Sequence, residues 1–231
     1  MPATTTSSFT PATLKFLRAL KRNNRREWFN AHRDDYERHV RQPMTTVVER
    51  LADDLRTFAP EIVASPRLSM YRIYRDTRFS ENKAPYKTHV AAVFPTRGLP
   101  KHEGAGLYFH VSPTEVWIGG GMYAPQTPQL HAVREHIAAN VRRLRTIVEA
   151  PAFRKQIEIE GDRLQRVPRG FPRDHEAADY LKYRNFIAGC EFPPAFATSP
   201  SLYRTLLNVF RQVAPLARFL NEPLTPDRTP R

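Results

Sequence analysis

The sequence predicts a single α+β domain with a mainly antiparallel central sheet, packed by amino-terminal, middle and carboxy-terminal helices. Three observations predict it. Apolar residues recur at spacings of three and four up to about residue 60, alternate with period two from residue 65, and return to helical spacing after residue 127. No internal repeat and no Pro/Gly/Ser linker divides the chain. A length of 231 residues with 41% hydrophobic content suffices for one substantial core. The expected domain covers 10–222, between disordered tails at 1–9 and 223–231.

Thr10 and Pro11 have the chemistry of a helix start, Leu14, Leu17 and Leu20 share one face, and Asn23-Asn24 is the stop. A second helix begins near Arg25 and carries Trp28, Phe29, His32, Tyr36 and Val40, with Pro43 kinking or ending it. The stripe of Met44, Val47, Val48, Leu51, Leu55 and Phe58 closes at Pro60. Strands are expected over 68–74, 88–94, 106–112 and 115–122, the last two joined by a tight Ser112-Pro113-Thr114 hairpin. Alternation turns Val90, Ala92, Phe94, Leu107, Phe109 and Val111 to an apolar face, and leaves the other face to gather His89, Tyr108, His110 and Trp117. A helix capped by Thr127 with Pro128 behind it runs to Val148. A short hairpin over 157–167 turns at Glu160-Gly161-Asp162, Asp174 caps a brief helix through Leu181, one more strand covers 184–190, and a last helix spans 199–220.

Several classes are excluded. The single Cys190 allows neither an internal disulfide nor a thiolate metal cluster, which suits a reducing, cytoplasmic location. No apolar run approaches a membrane span, and the amino terminus lacks a secretory pattern. No metal ligands stand at diagnostic spacing and no cofactor is called for. Gly119-Gly120-Gly121 lacks the spacing of a phosphate loop and suits a bulge, a close backbone approach or a strand end. Cys190 has no local nucleophile signature and reads as core.

Charge is the informative feature. Net charge is +13, and the window 67–101 holds eight basic residues against two acids. The window 15–56 holds eleven against seven, interleaved at helical spacings that pair on the surface. The strand-loop window is therefore the better anion site. Its centre, YRIYRDTRFSENKAPYKTH, runs from Tyr71 to His89. With FLRALKRNNRREWFNAHRDDYE upstream, AGLYFHVSP..VWIGGGMYAP downstream and, more weakly, DYLKYRNFIAG, this sequence resembles an uncharacterised domain-of-unknown-function family of bacteria and fungi, marked by the segment RIYRDTRFS..K.PYK.H. The resemblance implies membership and no activity.

Read chemically, a turn near Asp76 brings Arg75, Arg78, Lys83 and Lys87 together as a pocket at the sheet edge, with Arg72, Asp76, Ser80, Tyr86 and Tyr108 around it. The same residues also read as a loop in which Asp76 and Glu81 pair with neighbouring cations. His89 and His110 are the candidate acid–base groups. The expected partner is an anionic small molecule, phosphorylated or carboxylated, with or without turnover. A nucleic-acid-binding face and a non-catalytic interaction module are the alternatives.

Overall fold

The computed structural model describes residues 9–225; of the tails expected at 1–9 and 223–231, residues 1–8 and 226–231 lie outside the described residues. α1 (Pro11–Arg22) starts behind Thr10 and ends at Asn23, where the cap amide donates to the Ala19 and Leu20 carbonyls. The second expected helix is broken into α2 (Arg26–Ala31), α3 (Arg33–Tyr36), a π-helical turn (Glu37–Arg41) and α4 (Gln42–Phe58). The Trp28 carbonyl is bonded by His32 Nδ1 at 2.8 Å, and the His39 carbonyl accepts from Thr13 Oγ1 at 2.7 Å, so side chains satisfy backbone groups at both irregular points. Pro43 sits in the first turn of α4, where its missing amide costs nothing.

The strand expected at 68–74 does not form as such. Ser65 Oγ accepts from the Leu68 amide and Pro66 opens the short α5 (Pro66–Ser69), after which only Met70 and Tyr74 make isolated bridges. That extended stretch still dresses the edge of β1 (Val90–Pro95), with the Tyr71 amide donating to Ala91. β2 (Gly106–Val111) and β3 (Val116–Met122) form the expected hairpin, closed by the Ser112 amide on the Glu115 carbonyl.

α6 (Thr127–Ala139) is capped by Gln126, one residue before the expected Thr127, and Asn140 separates it from α7 (Val141–Val148). After α8 (Pro151–Arg154), β4 (Glu158–Glu160) pairs with β5 (Phe186–Phe192) rather than with the residues just after its turn. Asn185 Oδ1 accepts from the Asp162 amide, drawing the two distant segments together. The brief α9 (Ala178–Leu181) starts from Ala177, not Asp174. α10 (Leu202–Asn221) runs into a 3-10 turn, Glu222–Leu224.

The sheet is antiparallel in the order β1-β2-β3-β5-β4, which makes the molecule a single-domain α+β fold. α10 lies across β3, β2 and β5, and α4 meets β1. The face they cover carries Val90, Ala92, Phe94, Leu107, Phe109, Val111, Val116 and Ile118, all buried. Phe9, before α1, is also buried, its ring 6.1 Å from that of Phe109. Across β3, Gly119 and Gly120 let neighbouring chains approach: a side chain at Gly120 would meet the Gly106 carbonyl and, at 3.0 Å, Val213 of α10.

Candidate functional site on the open face of the sheet

The opposite face of the sheet gathers the polar aromatics that alternation assigns to it. His89 and His110 lie with ring centroids 5.6 Å apart, Tyr108 stands 5.5 Å from His110, and Trp117 is 5.7 Å from Tyr108. The register explains this: His110 pairs with Trp117, and Tyr108 with Gly119. The Trp117 indole lies over the paired Gly119 and Gly189, where any β-carbon would collide with it.

Tyr71 extends the cluster. Its ring is 6.5 Å from Tyr108 and stacks with His102 at 5.9 Å. Two ammonium groups sit against the same ring, Lys87 Nζ at 4.7 Å and Lys101 Nζ at 4.5 Å. Lys101 also donates to the carbonyls of Leu68 (2.6 Å) and Ser69 (3.5 Å). Among the described residues neither lysine has a carboxylate within ion-pair distance.

Electrostatics follow from burial and like charge. Burial lowers the pKa of Lys87, and nearby Arg72 lowers it further; burial and then Lys87 lower that of Lys101. His89 is pushed down to about 4, chiefly by burial, then by His110 and Lys87. His102 is lowered by burial, Lys101 and Lys87. His110 is lowered by burial although Glu115 opposes the shift. It donates from Nε2 to Glu115 Oε1 at 3.1 Å, which leaves Nδ1 as the lone-pair nitrogen, buried and without a partner. Burial also raises the phenol pKa of Tyr71 and of Tyr108. At neutral pH the lysines thus supply the positive charge while the imidazoles are neutral.

The structure divides the sequence-predicted residues into three groups. Lys87, His89, Tyr108 and His110 come together on the sheet face, with exposed Arg72 close enough to act on Lys87. Arg75, Asp76, Arg78, Ser80 and Lys83 form a self-contained loop instead of converging with Lys87. Arg75 donates to the Ala84 carbonyl and Ser80 Oγ, Arg78 grips Asp76 through Nε and Nη2, and Lys83 donates to the Thr77 carbonyl. Arg78 holds the exposed Asp76 carboxyl down to about 2. Tyr86 belongs to the core: it is 3% exposed, stacks on Phe29 at 4.2 Å, and is bonded through its backbone to both ends of the Asn24 amide.

Sequence reasoning missed Tyr71, Lys101 and His102 as site members. Lys101 stood inside the basic window and Tyr71 at the start of the central segment, which were the available signals; His102 lies in the β1–β2 loop, where periodicity says nothing. Two surface clefts, of about 560 and 450 Å³, lie elsewhere, on the amino-terminal helices. The first holds Asp34, Glu37 and Glu49 against Arg38 and Arg41, so it has no positive excess. The second is lined by Phe16, Trp28, His32 and their neighbours. Neither includes a residue of the sheet face, and the unpaired lysines make the sheet face the stronger candidate. Cys190 donates to the Gln156 carbonyl, and burial pushes its thiol up to about 11, away from thiolate chemistry. Among the described residues no group of three or more His, Cys, Asp or Glu is arranged to hold a metal ion, and no helix is long and apolar enough to cross a membrane.

No curated protein matches the chain. The family whose model matches covers residues 12–219, nearly everything from α1 to the end of α10, so the chain belongs to the conserved hypothetical protein family DUF2461.

Proposed function

We propose that the open sheet face binds a small phosphorylated or carboxylated molecule. The observation that carries this is the pair of ammonium groups on the Tyr71 ring with no carboxylate among the described residues to neutralise them. In a partly buried setting such cations favour an anion with hydrogen-bond acceptors. Arg72 adds charge beside Lys87, and Tyr71, His102 and Tyr108 supply flat surfaces for the rest of the ligand. His89 and His110, neutral at pH 7, are placed to exchange a proton with it should the site turn over.

Calorimetry with inorganic phosphate and with small carboxylates tests the reading. Replacing both Lys87→Met and Lys101→Met weakens the affinity by at least about tenfold, the scale of a lost charge-assisted hydrogen bond. Arg75→Ala with Arg78→Ala leaves it nearly unchanged, because those side chains are spent on their own loop. Equal affinity in wild type and the lysine double variant, or no anion binding by the wild type, refutes the proposal.

One observation favours nucleic acid as a second reading. Phe79 is 95% exposed at the tip of the basic loop, with the Arg78 guanidinium 5.8 Å from its ring. Stacking on a base would use such a tip. Affinity for single strands that drops steeply with salt and with Phe79→Ala would support it.

A further inference from the structure

The two lysines of the anion site are held differently. Lys101 Nζ is tethered by two backbone carbonyls, which keep it in place as an ammonium. Lys87 is pinned at its backbone, where its amide donates to the Ile73 carbonyl at 2.7 Å, yet its Nζ makes no hydrogen bond and no ion pair among the described residues. It is half-buried against an aromatic ring, with Arg72 acting on it from one side and Lys101 on the same ring. The Tyr71 face holds it as an ammonium at rest, but burial, nearby cations and the lack of hydrogen-bond acceptors make its proton easier to remove than that of a free lysine. That is the environment in which a lysine becomes a nucleophile toward carbonyl carbon.

We propose that Lys87 is an imine-forming lysine, condensing with an aldehyde or ketone whose phosphate or carboxylate is held by Lys101. This rests on the anion-site reading above and names the class of ligand within it. In the step, the Lys87 ammonium first releases its proton to solvent; the lone pair of the freed amine attacks the carbonyl carbon, the carbon–oxygen π electrons move to oxygen, and one proton passes from the adduct's nitrogen to that oxygen. The resulting carbinolamine passes its second amine proton to the hydroxyl, which leaves as water while the nitrogen lone pair forms the carbon–nitrogen double bond. Amine and carbonyl compound become imine and water, with no change in oxidation level. The His89 imidazole, two residues from Lys87 along the chain and 5.6 Å from the His110 ring on the sheet face, relays these protons.

Glyoxylate, a small aldehyde bearing a carboxylate, is the probe. The whole protein is incubated with it at pH 7 together with sodium cyanoborohydride, which reduces an imine to a stable amine. Peptide mass spectrometry then follows carboxymethylation at each of the seven lysines. Lys87 is modified at least about tenfold faster than the other six. In Lys87→Arg, which keeps the charge, no lysine reacts at that rate. Inorganic phosphate slows the reaction at Lys87 in the wild type and does so less in Lys101→Met. Similar rates at all seven lysines overturn the imine proposal even if calorimetry shows phosphate binding, so the anion reading then stands alone. Fast modification of Lys87 that phosphate does not slow overturns the anionic part of the ligand assignment and leaves the reactive lysine.

Discussion

His89 is neutral at pH 7 because the sheet face desolvates it and because His110 and Lys87 oppose a further positive charge. Its pKa of about 4 lies below the ordinary value of 6.5, and this shift ties stability to pH in a definite direction. Between those values the unfolded chain binds a proton that the folded chain does not, so stability falls as pH drops from 6.5 toward 4. His89→Gln lowers the slope of stability against pH in that window by about one proton, as measured by denaturant unfolding at successive pH values. The His89 imidazole resonance should titrate near pH 4 in the wild type; a midpoint near 6.5 would contradict the burial argument. His89 and His110 were legible as a pair because a strand sends alternate side chains to one face, and that rule needs only the local sequence. Lys101 and Tyr71 were not, because what joins them is a loop folding back on a chain segment some thirty residues earlier.

At the scale of elements, glycines decide how closely the layers meet. A β-carbon at Gly120 would strike the Gly106 carbonyl and approach both Leu107 Cα and Val213 Cγ1 at 3.0 Å, so β2 or α10 must move away. Gly120→Ala should therefore cost about 1 to 3 kcal/mol by thermal or denaturant unfolding, although alanine itself suits a strand no worse than glycine. A variant as stable as the wild type would mean that α10 is less tightly seated than its contacts indicate. The basic loop shows the opposite economy. Of its cations, Arg78 is ion-paired with Asp76, while Arg75 and Lys83 turn onto the Ala84 and Thr77 carbonyls and Ser80 of the same loop, which is why a segment so charged in sequence directs little of its charge to the site. The helix starts at Pro11 and Pro66 depend on local chemistry that proline and a preceding Thr or Ser announce. The pairing of β4 with β5 depends on Asn185 reaching Asp162 across 23 positions, which no local pattern reports.

For the whole molecule, Asn221 at the end of α10 latches the last helix to the sheet. Only 2% exposed, it accepts from the Ala105 amide and donates to the Ala105 carbonyl and Thr96 Oγ1 at 2.7 to 2.8 Å. These partners close the base of the β1–β2 loop that carries Lys101 and His102. Asn221→Leu leaves the buried Ala105 amide without its acceptor, while the Ala105 carbonyl and the Thr96 hydroxyl keep only their bond to each other, and should cost about 1 to 3 kcal/mol. Phosphate affinity should weaken with it in the fraction that still folds, since the loop loses its anchor; unchanged stability and affinity would show the latch to be dispensable. The sequence by itself determined the α+β class, most elements, the two faces of the sheet and the concentration of charge, because caps, periods and composition act over a few residues. Only the tertiary structure decided which cations remain without counter-charges. Arg78 met its counter-charge two residues away and Arg75 and Lys83 met neutral acceptors within their own loop, whereas Lys87 and Lys101 met across the Tyr71 ring. Desolvation and ion pairing depend on what surrounds a group in space, and that is set by segments far apart in the chain.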